Sequence, residues 1–216
     1  MAAETVSIDR DGAATARAAL DRCVSTGGVA LFPADGLYGL ACDPLNADAI
    51  RRIHEIKGRD DGKPSAVLYF DPLMMREVFG DLGPATSAAV AALLPGPVTL
   101  VVANPAHRYP LACRSNPERL GLRLIEGPLA GASCPVFQTS ANASGEPPPS
   151  AFTEVDPAIT ATVDLAIDGG ELTGLPSTVI DITTIDDDGA WTILREGALA
   201  APEVAQSLSS ISSASR

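Results

Sequence analysis

The chain has only two lysines, Lys57 and Lys63, and they lie six residues apart with Arg59 between them. The other basic residues, out of 15, are all arginine. An ammonium is a compact point charge on a flexible stem, whereas guanidinium is a planar fork that makes bidentate contacts. Both groups bind phosphate oxygens through charge-assisted hydrogen bonds. The stretch indicates a site for a small anionic ligand, and the alternative is a solvated helix end on which two lysines fall by chance.

A helix and a strand are predicted on either side of these cations. The helix is indicated by isoleucines at helical spacing and by residues suited to cap its two ends: Ile50, Ile53, Ile56, Asn46 and Gly58. It ends at Lys57, and Arg59 follows its glycine cap, so both cations are expected to project from one exit turn. The apolar segment Ser65 to Phe70 then reads as a buried strand.

Polar side chains also follow two other predicted strands. Val29 to Phe32 runs into a loop, Pro33 to Leu40, in which Asp35 and Tyr38 are the polar groups. Val136 to Thr139 leads into Thr139-Ser-Ala-Asn-Ala-Ser-Gly145, whose hydroxyl and amide groups suit phosphate, ribose or carboxylate. Each loop could instead be a plain or capped turn. Ligands of open α/β sheets bind at such strand ends.

Arg123 lies within an apolar run, Leu120 to Ile125, that is predicted to form a strand. A buried cation without a partner is costly by several kcal/mol. We therefore expect Arg123 to be paired with a polar or acidic group.

Strands interleave with helices in the first two thirds of the chain, and a hairpin follows, formed by Ser177 to Thr183 and Ala190 to Leu194 across an acidic tip. This order predicts an α/β fold with a mixed, twisted sheet. At 216 residues, one domain over residues 1–208 is the default expectation. A serine-rich tail, residues 209–216, is expected to be disordered.

Composition excludes several functional classes. The net charge of -12 argues against a protein that mainly binds nucleic acid. No apolar run approaches the roughly 20 residues that span a bilayer, so we expect a soluble, cytoplasmic protein. The four cysteines and two histidines lack the spacing of a metal site, and P-loop and Rossmann glycine motifs are missing.

Six motifs together resemble those of the YrdC-like proteins, which include the threonylcarbamoyl-AMP synthases, and the resemblance covers roughly Ala18 to Leu199. The motifs are GGVALFPADGLYGLACD; Ile53-His-Glu-Ile-Lys-Gly-Arg59 with Lys63-Pro64; Leu94-Pro-Gly-Pro-Val-Thr-Leu100; Thr139-Ser-Ala-Asn142 with Ser144-Gly145; Ser177-Thr-Val179; and Arg195-Glu-Gly197. Any one of them is a weak signal, whereas six in order are specific for the family.

The resemblance implies a twisted α/β sheet with flanking helices and a concave ligand-binding face. It implies that L-threonine, bicarbonate and ATP, the last carrying Mg²⁺, give threonylcarbamoyl-AMP and pyrophosphate. This product serves a tRNA modification, so a downstream threonylcarbamoyl transferase is the implied partner and tRNA is involved only indirectly. The family's catalytic residues fall on Lys57 and Arg59, and no metal ligand is implied. Its ATP-binding positions fall on Lys57, Arg59, Lys63, Ser140, Asn142, Ser150 and Arg195, and its threonine-binding positions on Asp35, Arg123 and Ser177.

The sequence departs from the family pattern mainly at the amino-acid end of the site. The first loop reads Pro33-Ala-Asp-Gly36 where the family has threonines around its acid, and Leu68 replaces a histidine. Two alternatives therefore stay open beside the synthase. One is a YrdC-like paralogue that binds or hydrolyses ATP with another carbamate or carbamoyl substrate, and the other is a non-enzymatic RNA-binding module.

Overall fold

The computed structural model describes residues 3–58 and 63–212. Within these ranges the chain forms ten strands. They are β1 (Glu4–Ser7), β2 (Ala30–Ala34), β3 (Leu37–Cys42), β4 (Ala66–Tyr69), β5 (Val98–Ala103), β6 (Arg119–Leu124), β7 (Val136–Ser140), β8 (Leu165–Asp168), β9 (Thr178–Asp181) and β10 (Thr192–Arg195).

Helices of four to thirteen residues connect the strands. They are α1 (Ile8–Asp11), α2 (Ala13–Ser25), α3 (Ala47–Ile56), α4 (Arg76–Phe79), α5 (Pro84–Leu93), α6 (Pro110–Cys113), α7 (Pro157–Thr160), α8 (Ile185–Asp188) and α9 (Ala201–Ser212). In the described ranges, no helix has the length and apolar character required of a membrane span.

All the strands belong to one mixed sheet, in the order β1-β8-β2-β3-β7-β4-β6-β5-β9-β10. Four pairs are parallel, namely β1/β8, β2/β8, β4/β6 and β5/β9. The other neighbours are antiparallel, including the late hairpin β9/β10. The predicted mixed α/β sheet is thus confirmed.

Strict alternation along the central strands separates the hydrophobic core from the site. In β6, Leu120, Leu122 and Leu124 are buried, whereas Arg119, Gly121 and Arg123 line a cavity on the opposite face. This follows from the two-residue period of a strand. The same alternation in β5 and β9 leaves Thr99, Val101, Val179 and Asp181 facing that cavity.

The face turned away from the cavity packs against helices α3, α5 and α9 through a large apolar cluster. A second cluster joins α2 to β2 and β8. As expected, the Asn46 side chain accepts from two amides at the start of α3, and Gly58 follows the helix with a φ of +67°. A positive φ is readily adopted by glycine, which suits this position.

Two sequence predictions need correction. Pro33 to Leu40 does not form a long shaped loop: β2 and β3 pair as a hairpin whose two-residue turn is Asp35-Gly36. The predicted tail at 209–216 begins too early, because α9 continues to Ser212. Leu208 and Ile211 are buried on this helix, so apolar packing extends it; residues 213–216 lie outside the described ranges.

Candidate active site

A cavity of about 760 Å³ lies on the sheet face opposite helices α3, α5 and α9. Its walls and floor come from strands β2 to β7, β9 and β10 and from the loops that flank them. Pockets for small ligands typically measure about 300–1,000 Å³. The cavity is therefore large enough for a nucleotide-sized ligand.

One row of residues crosses four adjacent strands of the floor. Thr99 is paired with Val179, which is also paired with Arg195 on the outermost strand. On its other side, Thr99 adjoins the pair Leu100–Leu122, and continuation of that antiparallel register places it across from Arg123. The row therefore has an arginine at each end and a hydroxyl between them.

The two terminal nitrogens of Arg123 have partners, whereas its buried Nε has none among the described residues. One terminal nitrogen donates to Gln138 Oε1 at 3.0 Å, and the other forms an ion pair with Asp35. The Arg123 side chain is 6% exposed and that of Asp35 is 20% exposed. Burial lowers the pKa of Arg123 from its ordinary value, although the nearby Asp35 carboxylate opposes the shift. Burial also raises the pKa of Asp35, more than the charge of Arg123 lowers it.

The other end of the row joins Arg195 to two hydroxyl groups. Arg195 donates to the Ser177 backbone carbonyl at 2.7 Å and to Ser177 Oγ at 3.1 Å. Ser177 Oγ lies 2.9 Å from Thr99 Oγ1. Thr99, Ser177 and Arg195 all line the cavity, so this end presents a cation and hydroxyl groups to a ligand.

The polar residues of the cavity that were not singled out from the sequence include Gln138, Arg119 and Asp181. Gln138 holds Arg123, while Arg119 forms an ion pair with Asp181 in the cavity wall. Burial raises the pKa of Asp181, but the hydrogen bonds from Thr183 and the charge of Arg119 outweigh it, and the pKa is lowered. The alternation of β6 could have revealed Arg119, because it shares the face of Arg123.

Lys57 is placed differently from the expectation that it projects outward. It is only 3% exposed and does not line the cavity. Its Nζ donates to the backbone carbonyls of Ser140 and Asn142, the latter at 2.8 Å, and its own carbonyl accepts from Ser144 N. Lys57 therefore contacts the serine-asparagine loop, and its ammonium holds this loop in place.

The remaining predicted nucleotide residues are only partly gathered at the cavity. Ser140 lines it, whereas the Asn142 amide donates to Ala143 and Glu146 carbonyls within its own loop. The Ser150 hydroxyl donates to Glu154 at 3.0 Å and is not part of the cavity wall. Lys63 is exposed next to the lining residues Pro64 and Ser65. Arg59 lies outside the described residues.

The arrangement places two arginines on the floor of one cavity. Arg123 and Arg195 mark the ends of the row, with Thr99 and Val179 between them, whereas Ala66 and Gly121 form a low part of the floor on β4 and β6, outside that interval. In the ranges 3–58 and 63–212, no group of three His, Cys, Asp or Glu residues is positioned to hold a metal ion. Such a cavity can hold two anionic reactants side by side and stabilise negative charge that develops between them.

Comparisons with known proteins agree on a family. A protein-family model for Sua5, YciO and YrdC, described as telomere recombination, matches residues 22–197. A threonylcarbamoyl-AMP synthase from Xanthomonas campestris pv. campestris (strain B100) is 35% identical over 187 residues, which cover 82% of this chain and 97% of the relative.

Solved structures share the fold. P. abyssi Sua5 complexed with L-threonine matches with a TM-score of 0.81 and 24% identity, over 96% of this chain and 61% of that one. E. coli YciO matches with a TM-score of 0.78 and 24% identity, over 94% of this chain and 100% of that one. This chain therefore spans about three fifths of the P. abyssi chain and the whole of YciO.

Proposed function

The chain belongs to the Sua5/YciO/YrdC family, and we propose that it is a threonylcarbamoyl-AMP synthase, which makes threonylcarbamoyl-AMP and pyrophosphate from L-threonine, bicarbonate and ATP. The curated relative with this name matches the chain over 97% of the relative's length. The observation that carries the proposal is the row across the cavity floor, which places Arg123 on β6 and Arg195 on β10 in one cavity, with β5 and β9 between them.

The Arg123 end suits the amino acid. A guanidinium binds a carboxylate well, and one buried in a cavity wall gains from reduced competition with water. P. abyssi Sua5, which shares the fold, has been solved in complex with L-threonine. Under the proposal, Arg123 receives the threonine carboxylate, and Asp35 and Gln138 hold the guanidinium in position.

The Arg195 end suits the nucleotide. Arg195 is anchored on Ser177 yet faces the cavity, so it can neutralise charge on the α-phosphate. Ser140 also lines the cavity, from β7 on the other side of β6, and Lys57 holds the loop that follows it. Lys63 and Arg59 are proposed to contact the outer phosphates from the segment after α3.

Positioning and electrostatics account for the chemistry. The threonine amine and bicarbonate form a carbamate, whose oxygen then attacks the α-phosphorus and displaces pyrophosphate. This route needs no side-chain nucleophile, so the enzyme contributes chiefly by aligning reactants and by neutralising phosphate charge. We propose that ATP is used as its Mg²⁺ complex, in which the metal neutralises the leaving pyrophosphate.

The proposed product is a reactive adenylate used for tRNA modification. We propose that a threonylcarbamoyl transferase takes it up, so tRNA is met indirectly, and that the protein acts in the cytoplasm. Mixing the protein with a candidate transferase and unmodified tRNA, and following the modified nucleoside by mass spectrometry, tests this hand-over.

The function itself is tested by following pyrophosphate release and by identifying the nucleotide product. With ATP, Mg²⁺ and bicarbonate present, release should require L-threonine and should yield an AMP adduct of the mass of threonylcarbamoyl-AMP. Release without threonine, or with AMP alone as product, would instead favour a paralogue with another substrate.

A further inference from the structure

Thr99 lies on β5, between the strands that carry Arg123 and Arg195. Continuation of the β5/β6 register beyond Leu100–Leu122 places it across from Arg123, and it pairs with Val179, the partner of Arg195. Its side chain is partly exposed to the cavity. No step of the proposed reaction described above uses this hydroxyl.

The hydroxyl groups of Thr99 and Ser177 carry two protons, and only one of them is used in a hydrogen bond between these residues. Their mutual contact, at 2.9 Å, uses one of the two hydroxyl protons, whichever oxygen donates it. Arg195 donates to Ser177 Oγ at 3.1 Å, so this hydrogen bond uses neither of the hydroxyl protons. Within residues 3–58 and 63–212, the second hydroxyl proton is not donated to any acceptor, and both residues line the cavity.

The reaction requires a donor at this place. Threonine carries its amine on the carbon next to its carboxylate, so an amine held through Arg123 lies just inside that end. The α-phosphorus lies near Arg195 under the same proposal. The carbon that joins them must therefore lie over Thr99 and Ser177, and it arrives as an anion.

We propose that Thr99, together with Ser177 and backed by Arg195, forms the subsite that binds bicarbonate and the carbamate made from it. This subsite rests on the proposed synthase function and assigns to Thr99 a direct contact with the one-carbon reactant. The hydroxyl whose proton is not otherwise used donates a hydrogen bond to one oxygen of the bicarbonate or carbamate. Another oxygen of the carbamate then remains to attack the α-phosphorus.

The chemistry balances around this contact. The amine nitrogen forms a bond to the bicarbonate carbon while the carbon–hydroxyl bond breaks, and the hydroxyl leaves as water with a proton from the amine. A carbamate oxygen then forms a bond to the α-phosphorus, and the bond from that phosphorus to the bridging oxygen breaks to release pyrophosphate.

Two variants separate the hydroxyl from the shape of the side chain. Thr99→Val keeps the branched shape and removes the hydroxyl, whereas Thr99→Ser keeps the hydroxyl. Pyrophosphate release is measured in CO₂-free buffer against added bicarbonate, with ATP and threonine saturating, and then against ATP. Thr99→Val should raise the half-saturating bicarbonate concentration about tenfold, the effect of one lost hydrogen bond to a charged group. Its KM for ATP should stay within about twofold of wild type, and Thr99→Ser should restore most of the bicarbonate response.

Each other outcome has a definite meaning. An unchanged bicarbonate response in Thr99→Val, or equal impairment in Thr99→Ser, would overturn the subsite while the synthase function stands. A wild-type protein whose pyrophosphate release ignores bicarbonate would reject the synthase function, and the subsite with it.

Discussion

Asp35 and Arg123 form an ion pair within the sheet, although they are 88 positions apart in sequence. Asp35 lies in the turn between β2 and β3 with a φ of +65°, and Arg123 lies on β6, with β7 and β4 between the two hairpin strands and β6. The carboxylate of the protein thus contacts the same guanidinium that is proposed to receive the carboxylate of the substrate.

We expect Asp35→Asn to lower the KM for threonine about threefold or more. The amide keeps a hydrogen-bond acceptor for Arg123 but removes the competing negative charge, which leaves more of the arginine's charge to the substrate. Pyrophosphate release against threonine concentration measures the change. Asp48→Asn, at an exposed pair with Arg51, is the matched control. A higher KM for threonine in Asp35→Asn would show that the carboxylate supports binding instead of competing with it.

The same pair predicts a pH dependence. Because burial raises the pKa of Asp35, the carboxyl gains its proton at a higher pH than an ordinary aspartate does. As pH falls from neutrality toward that raised pKa, the wild-type KM for threonine should approach the KM of Asp35→Asn. Protonation of the threonine amine affects both proteins equally, so the ratio of their KM values is the quantity to follow. A ratio that stays constant down to the acid limit of activity would contradict this assignment.

Lys57 should be required for stability as well as for nucleotide binding. Lys57→Met would leave the carbonyls of Ser140 and Asn142 without the ammonium that they accept from, at a cost of about 3 kcal/mol. Urea unfolding measures this loss. Lys63→Met, at an exposed position, should raise the KM for ATP while unfolding within about 0.5 kcal/mol of wild type. Equal stability in the two variants would refute the holding role of Lys57.

Gly121 keeps the cavity floor low. A β-carbon added there would lie 3.2 Å from Ala66 Cα and 3.4 Å from its Cβ, so a larger side chain is driven into the cavity. Gly121→Leu should weaken ATP binding at least about 100-fold, as seen by calorimetric titration. Gly80→Ala is the control, since its nearest contact is 3.4 Å away and it does not line the cavity. Undiminished ATP binding by Gly121→Leu would show that the ligand lies elsewhere.

Features of the fold and the site that depend on residues close in sequence could be predicted, whereas those that depend on residues far apart in sequence could not. The α3 helix and its Asn46 cap depend on neighbouring residues, and they are present as predicted. The need of Arg123 for a partner was also foreseen from burial and is confirmed. The sequence does not predict which residue is that partner. Asp35 comes next to Arg123 only through the pairings of β3, β7, β4 and β6, which local sequence does not specify.

Lys57 illustrates the opposite limit. Its spacing from Arg59 and Lys63 predicts a site for an anionic ligand, and its helix ends where the pattern predicts. The direction of the side chain depends on the loop after β7, whose carbonyls it contacts. Sequence spacing finds such a residue but does not say whether it faces the ligand or the protein.

The central claim is that the two arginines divide the cavity between two substrates, and reciprocal substitutions test it most directly. Arg123→Lys and Arg195→Lys each keep a positive charge while removing the planar fork. Initial rates of pyrophosphate release are measured for both variants against threonine and against ATP. We expect Arg123→Lys to raise the KM for threonine about tenfold with the KM for ATP unchanged, and Arg195→Lys to do the reverse. Both variants raising the same KM, or neither KM changing in either variant, would contradict the division.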